Sequence, residues 1–515
     1  MSRARARNRS RNGPGRLTLF LLLLAISAAA MYPPALLATM QDDDLAARSF
    51  LYAGTLGLIL VALIALARGR VRPDREEMRQ LLAIFGAFAF LPLYLALPFY
   101  ETLQTTSFIN AYLDMVSAVT TTGIDLFDDP RRLSDALHLW RAEVAWLGGL
   151  LMWVAAGAIL APMSLGGFEV TARGEPGRAD PGTLMMTRAD PAKRLRRVGA
   201  MLVPIYAGLT GALMMILLAA GERPLVALCH AMSVMATSGL SPVGGLDGSA
   251  AGRVGEVAMF GFMIFALSRI TFSDDTLSGG RTRNLLTDPE FRVAVLLIFG
   301  VPVVLFARHW FGAYDIDMVG HPGEAARALW GGAFTVMSYL TTTGFVSTDW
   351  TMSESWSGLS ASGIILMGLA MMGGGVATTA GGVKLLRVYA LYLNGLREME
   401  RLVYPSSVTS AGRGQRRLQS NGAFIAWVFF MLFAVSLTVV TLVLGLFGIE
   451  FEESIVLAIA TLSTTGPLIE HAADEVIPIL TFSTGAKAVL CAAMVLGRLE
   501  TLAIIALLTP DLWRK

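Results

Sequence analysis

The sequence predicts an all-α membrane protein with about ten transmembrane helices plus four shorter, re-entrant half-helices, arranged as four similar units about one axis. Composition, the spacing of the apolar stretches and a four-times-repeated tetrad carry that prediction. Of 515 residues, 54% are hydrophobic and 16% are charged, and the mean hydropathy is +0.59, so charges are too few to cover a soluble surface of this size. Lys plus Arg total 41 against 39 Asp plus Glu, a net charge of +2 that excludes a generally polycationic nucleic-acid binder. Cys229 and Cys491 lie in apolar runs without metal-type spacing. The histidines form no HExxH-like pair, and the chain has no GxSxG elbow and no Walker A loop, which argues against a disulfide framework, a zinc site and the common hydrolase and nucleotide motifs.

A bilayer core about 30 Å thick needs roughly 20 apolar residues per helix. Ten stretches meet that test, at about 17 to 40, 50 to 67, 81 to 100, 143 to 165, 198 to 220, 254 to 272, 292 to 312, 358 to 393, 422 to 448 and 485 to 509. An even number puts both termini on one side. Arg3, Arg5, Arg7, Arg9, Arg11 and Arg16 precede the first stretch, and Arg514 and Lys515 end the chain, so both ends are expected in the cytoplasm. The alternate loops agree: Arg68 to Arg79, the run Lys193, Arg194, Arg196, Arg197, and Arg397 to Arg417 all fall on the inner side, whereas Gln41 to Asp44 is acidic and outer. The Arg-rich start, the Leu-rich run and Ser27 to Ala30 also resemble a cleavable secretory signal, but the apolar run continues past Met31, which favours an anchored helix.

Between the long stretches lie shorter ones, such as Ile109 to Val119 and Ala328 to Leu340, each ending in a Thr/Ser-Gly tetrad. The tetrads are Thr120-Thr121-Thr122-Gly123, Ala236-Thr237-Ser238-Gly239, Thr341-Thr342-Thr343-Gly344 and Ser463-Thr464-Thr465-Gly466, with glycines 116, 105 and 122 residues apart. One such tetrad is more often a helix C-cap than an ion ligand. Four with the same flanking order of span, half-span and span form an internal repeat. All four re-enter from one side to the same depth, where non-helical backbone survives only if protein or water covers it. Glycine permits the backbone angles that turn carbonyls toward an axis, and converging carbonyls can replace the hydration shell of a small cation. The C-terminal end of each half-helix, worth about half a negative charge, points to the same place.

With these tetrads, with Trp146-Leu147-Gly148-Gly149, with the Gly-rich segment from Met372 to Lys384 and with Gly497-Arg498-Leu499-Glu500, the chain resembles the Trk/Ktr/HKT superfamily of potassium transporters, most closely the TrkH-type membrane subunits of bacterial Trk systems. The resemblance covers nearly the whole chain. It implies a pseudo-fourfold pore of four M1–pore helix–M2 repeats: a basic tail at 1–16, two extra helices at 17–70, and repeats at 71–170, 171–275, 276–393 and 394–515. It implies a selectivity filter of main-chain carbonyls at Thr121, Thr122, Gly123, Thr237, Ser238, Gly239, Thr342, Thr343, Gly344, Thr464, Thr465 and Gly466. Family members with Ser at the first glycine tend toward sodium; the intact Gly123 implies potassium as the ion carried.

The resemblance further implies that residues 372–384 form an intramembrane gating loop, with Gly373, Gly374, Gly375, Thr378, Thr379, Gly381, Gly382 and Lys384 as its candidate residues. Five glycines, at about 1 kcal/mol each in a helix, make a continuous span there improbable; close helix packing through small residues is the alternative. Arg498, inside the last span where a charge costs at least about 2.5 to 3.5 kcal/mol, is implied to project into the pore as an electrostatic barrier. The other reading pairs it with Glu500 or lets it snorkel. Lys384 and Arg387 are either inner-mouth charges or snorkelling residues. Asp114, Asp125, Asp128 and Asp129 either concentrate cations at the outer mouth or are solvated loop and cap carboxylates.

A homodimer in the bacterial inner membrane is implied, with a ring of cytosolic nucleotide-binding regulators (TrkA-like) docked near loops 173–197 and 394–420. No cofactor is implied in this chain, which carries no nucleotide motif of its own. Three alternatives stay open: a sodium-permeable or sodium-coupled protein of the same fold; a membrane enzyme, for which the helices offer few ionisable groups beyond Arg498, Glu500, Lys384 and Glu143; and a scaffold, which leaves the tetrads without a reason.

Overall fold

A computed structural model describes residues 18–67, 76–127, 129–161, 191–268, 288–312, 322–359, 361–403, 413–473 and 476–500, and every regular element among them is helical. The basic tail, residues 173–190 of the loop expected at 173–197, residues 404–412 of the loop expected at 394–420, Asp128 and the last fifteen residues lie outside this set; the described flanks of the second loop, 394–403 and 413–420, are helical instead. The first apolar stretch is two helices, α1 (Leu19–Ala29) and α2 (Tyr32–Met40). Pro33 and Pro34 occupy the first turn of α2, where a missing N–H costs least, so the chain restarts there rather than running on. They pack on α3 (Asp44–Ala67), which begins six residues before its apolar stretch because Asp44 sits in its first turn.

Unit one follows with α4 (Glu76–Ala89), α5 (Leu91–Thr102), the half-helix α6 (Phe108–Val119) and α7 (Asp135–Ala155), which runs on as a π turn at Ala156–Leu160. The stretch expected at 81–100 is one crossing segment, Met78–Thr102, with a local helix break at Phe90, ahead of Pro92. Unit two comprises α8 (Pro191–Ala219), α9 (Pro224–Ala236) and α10 (Gly252–Met263), the last ending in a 3-10 turn at Ile264–Ala266. Unit three has α11 (Pro289–Gly312) and α12 (Pro322–Leu340), then α13 (Trp350–Ser357), α14 (Ser362–Met372) and α15 (Leu385–Val403). Unit four has α16 (Arg413–Leu446), α17 (Phe451–Ser463), the short α18 (Leu468–Ala472) and α19 (Thr484–Leu499).

Among the described residues seven segments are long and apolar enough to cross a bilayer, or eight if α13 and α14 count as one broken span, against about ten expected. The shortfall has visible causes: α10 and α19 are 12 and 16 residues long within the described chain, and the stretch at 358–393 is interrupted from Gly373 to Lys384. The half-helices α6, α9 and α17 have 12, 13 and 13 residues, a rise of about 20 Å that cannot span a core of about 30 Å; the fourth, α12, starts six residues ahead of the expected Ala328 and has 19. Their C-terminal ends are buried.

Candidate functional site

Each half-helix ends in one backbone geometry. The second residue of every tetrad is left-handed, with φ of +56° at Thr121, +55° at Thr237, +56° at Thr342 and +55° at Thr464, a region where a β-branched residue is an outlier unless its surroundings hold it. What holds it is a turn in which the third residue's N–H returns to the carbonyl five residues earlier: Thr122 to Ser117 (2.8 Å), Ser238 to Ser233 (3.0 Å), Thr343 to Ser338 (2.8 Å) and Thr465 to Ala460 (2.8 Å). Gly123, Gly239 and Gly344 are also left-handed, at +71°, +71° and +88°.

Gly466 departs from them by not adopting a positive φ, and a close approach explains it instead: a Cβ there would overlap the backbone of Gly123 and Ile124. The other glycines make the same kind of contact with the next unit in turn, Gly123 against the Ser238 carbonyl, Gly239 against Thr343, and Gly344 against Pro467. The four tetrads therefore close a ring in the order one, two, three, four, one. The Gly466 N–H, 2.5 Å from the Thr122 carbonyl, bonds the last unit to the first.

Side chains brace the ring from behind. In units one, three and four the first and third hydroxyls of the tetrad pair: Thr120 with Thr122 (2.8 Å), Thr341 with Thr343 (2.9 Å) and Ser463 with Thr465 (3.2 Å). Ala236 has no hydroxyl, and Ser238 turns to Ser233 Oγ at 3.1 Å instead. The odd sequence of the second tetrad is thus compensated within its own half-helix. Gly148 and Gly497, from the two motifs flanking the repeats, let their helices press against the carbonyls of Val119 and Leu462, the residues just ahead of the first and fourth tetrads.

Residues 373–384 form a compact loop against the half-helix ends, with Gly373 (+71°), Ala377 (+59°), Gly382 (+73°) and Lys384 (+83°) all left-handed. Gly381 N–H donates to Thr342 Oγ1 at 2.7 Å, and a Cβ on Gly381 would overlap the Ser463 carbonyl and the Thr464 hydroxyl. Thr379 Oγ1 reaches the Met235 carbonyl at 3.3 Å, so the loop touches the ends of units two, three and four. Thr378 Oγ1 donates to the Gly375 carbonyl at 2.8 Å, Gly375 N–H to Ala266 at 3.0 Å, and Leu385 N–H to the Gly374 carbonyl at 3.0 Å. The Lys384 ammonium is buried and turned back onto the Ala380 carbonyl.

Arg498 does not pair with Glu500. Its Nη1 donates to the Thr379 carbonyl at 2.6 Å, and among the described residues its buried Nε and Nη2 have no hydrogen-bond partner. Glu500 pairs with Arg387 instead, at 2.6 Å, and the guanidinium of Arg387 lies 3.6 Å from the centre of the Phe429 ring. Snorkelling is overturned for Lys384, Arg387 and Arg498, which are 7%, 0% and 3% exposed.

Asp114 is no solvated carboxylate: it is 1% exposed and lies 3.0 Å from Arg141, which also contacts Asp125 at 3.2 Å and the Ile124 carbonyl at 3.3 Å. Asp129 caps the turn at Pro130–Arg132 by accepting from Arg131 N–H, a local role.

Beyond the third tetrad, on the side away from the loop, lies a polar cluster that the sequence did not single out. Asp349 is held by Arg253 (2.8 and 3.1 Å) and Arg327 (2.7 Å). Burial acts to raise its carboxyl, but the hydrogen bonds and charges of the two arginines hold it below the usual carboxylate range. Glu256, three residues and so one helical turn after Arg253, accepts from Trp330, Ser347 and Thr348. No pattern flagged these residues, because Arg253 and Glu256 lie on α10 and their partners fall 74 to 96 positions away. The one available signal was a pair of charges a helical turn apart at the start of an apolar stretch.

Comparison with known proteins agrees with this architecture. Residues 254–514 match the family described as TrkH, cation transport protein. The chain is 28% identical over 498 residues to the Trk system potassium uptake protein TrkH of Salmonella typhimurium, covering 95% of this chain and 96% of that one. It is also 28% identical over 440 residues to the protein of the same name from Halomonas elongata, covering 84% of each. The crystal structure of the potassium transporter TrkH from Vibrio parahaemolyticus matches with a TM-score of 0.75 at 25% identity, over 96% of this chain and 98% of that one. A ring of four left-handed half-helix ends, on a chain that follows these relatives along nearly its whole length, belongs to the TrkH family of cation transport proteins.

Proposed function

We propose that this chain takes up potassium across the bacterial inner membrane, through a filter made of the backbone carbonyls of its four tetrads. The observation that carries this reading is the common backbone turn at all four half-helix ends, closed into a ring by the glycine contacts. Four helix C-termini converge there, each with about half a negative charge, and favour a cation over an anion. Carbonyl ligands suit an ion that must be bound and released quickly. The loop at 373–384 is the gate: it lies across the inner ends of three half-helices, and Arg498, bonded to Thr379, places a positive charge beneath the ring. The chain acts as a homodimer with both termini in the cytoplasm. A ring of nucleotide-binding cytosolic regulators moves the gate through α15, which continues directly from the loop.

Flux of potassium and of sodium into liposomes holding the full chain tests this, with Gly123→Ser and Arg498→Ala alongside. Potassium-selective flux is expected from the wild type, more from Arg498→Ala, and a relaxed preference from Gly123→Ser, whose new side chain would press on the Ser238 carbonyl. Equal passage of the two ions in wild type and Arg498→Ala would sink the potassium reading in favour of a sodium-permeable protein. No cation flux in either would sink the pore.

A further inference from the structure

The four tetrads are not held alike on the side where the chain leaves them. In unit one the exit is fixed by its own half-helix: Ser117 Oγ accepts from Ile124 N–H at 2.7 Å, and Arg141 holds the Ile124 carbonyl. In unit two, His230 of the half-helix bonds Ser241 at 2.8 Å, two residues past the glycine. In unit three the hydroxyl equivalent to Ser117 is Ser338, and among the described residues Ser338 Oγ has no partner.

Its own half-helix holds that exit through Thr335 Oγ1, which accepts from Ser347 N–H at 3.3 Å, and through Arg327, which pairs with Asp349 at 2.7 Å, and the neighbouring unit adds a carboxylate. Glu256 on α10 of unit two is 1% exposed, and both its oxygens are used. Oε2 accepts from Trp330 Nε1 and Ser347 Oγ, each at 2.8 Å, and Oε1 accepts from Thr348 N–H at 2.9 Å and Thr348 Oγ1 at 2.8 Å. Trp330 lies on α12 ahead of the third tetrad, and Ser347 and Thr348 lie just beyond it, so one carboxylate ties the entry of the half-helix to the exit of the strand. Arg253, one turn earlier on the same helix, extends the grip to Asp349. Four charge-assisted bonds to one rigid helix fix position more tightly than neutral ones. The third tetrad is also the one, among the described residues, whose own hydroxyl, at Thr342, takes a hydrogen bond from the loop, so it stands to lose that bond when the loop moves.

We propose that Glu256 is a positioning residue for ion selectivity: it keeps the carbonyls of Thr342, Thr343 and Gly344 in register from the neighbouring unit, whether or not the loop at 373–384 is in place. This rests on the potassium-filter reading above, and it predicts that Glu256 acts on discrimination between ions as well as on stability. Glu256→Gln keeps the shape but turns an amide NH2 toward donors that a carboxylate oxygen accepts from. Thr348→Val removes one donor and spares the carboxylate.

The experiment is a thermal-unfolding titration of the full chain in detergent with potassium or with sodium as the varied chloride, because an ion bound only by the folded state raises Tm with its concentration. It needs no open pore. In the wild type the rise of Tm is expected to fit a lower dissociation constant for potassium than for sodium. In Glu256→Gln the ratio of the sodium to the potassium constant should fall about fivefold or more, and in Thr348→Val in the same direction by less, as expected on losing bonds to a charged acceptor. A ratio equal to that of the wild type in both variants, with only the ion-free Tm lowered, overturns the proposal and leaves Glu256 a brace of stability alone. If Glu256→Gln does not fold, Thr348→Val decides by the same ratio. A wild type that does not prefer potassium takes down the filter reading itself, which separates the two failures.

Discussion

Arg498 and Glu500 stand two positions apart on one helix end, and one reading of the sequence pairs them. They do not, because Glu500 leaves the helix with φ of +61° and turns to Arg387, 113 residues away. A non-glycine residue stays in that region only when its surroundings hold it, and here the holder is a buried ion pair on an aromatic ring. Breaking such a pair on one side leaves a buried charge uncompensated, at about 3 to 5 kcal/mol. Arg387→Met, which keeps a long apolar stem over Phe429, is therefore expected to lower stability in thermal unfolding by about 3 kcal/mol, and adding Glu500→Gln should recover most of the loss. Equal loss in the single and double variants would show that the charge pairing is irrelevant. Residue-scale legibility was mixed for a physical reason. Sequence marks a buried charge as functional or paired, since either satisfies it, but the partner is chosen by the fold, as Asp114 with Arg141 and Glu500 with Arg387 both show.

At the scale of elements, glycine content was the more reliable guide. The segment 372–384 has five glycines, and the break falls at 373–384, between the end of α14 and the start of α15. The breaks at Ala30 to Met31 and at Phe90 were less legible, because proline in a first turn is compatible with a helix that starts there as well as with one that merely bends. The loop's hydrogen bonds were not legible at all: they run to Ala266 and Met235 of unit two and to Thr342 of unit three. On the proposed reading, deleting Val376 to Ala380 removes the contacts with Met235 and Glu290 and shortens the stretch that crosses the half-helix ends. Liposomes holding that variant should show cation flux without any regulator and at least about tenfold above wild type, one decade being roughly 1.4 kcal/mol off a barrier. A well-folded variant that conducts no better than the parent would remove the loop from the gating account.

Across the whole molecule, the repeat was legible because each unit keeps the same chain order and the same terminal glycine, while the ring was not, because no periodicity says which neighbour touches which. Contacts between units carry part of the stability, and one of them is titratable. Asp349 joins α10 of unit two, through Arg253, to α12 of unit three, through Arg327. A carboxyl held below its ordinary pKa contributes stability that is present above the unfolded-state value and lost as pH falls through the lowered folded-state value. The difference in Tm between wild type and Asp349→Asn should therefore be widest at neutral pH and close as the solution is acidified through that range. A gap that stays constant to pH 3, about a unit below an ordinary aspartate carboxyl, would assign the contact to shape rather than charge.

The seam of the ring is the contact between Gly123 and Gly466, tied by the bond from Gly466 N–H to Thr122. These positions are 343 residues apart in the chain, and at about 5 to 20 residues per second of synthesis the first waits roughly 20 to 70 s for the second. Until then the earlier half-helices have an open flank and enclose no passage. On the proposed pore reading, a chain halted anywhere before Gly466 would conduct nothing, and a cell that abandons synthesis midway would be left with debris to clear rather than with a leak.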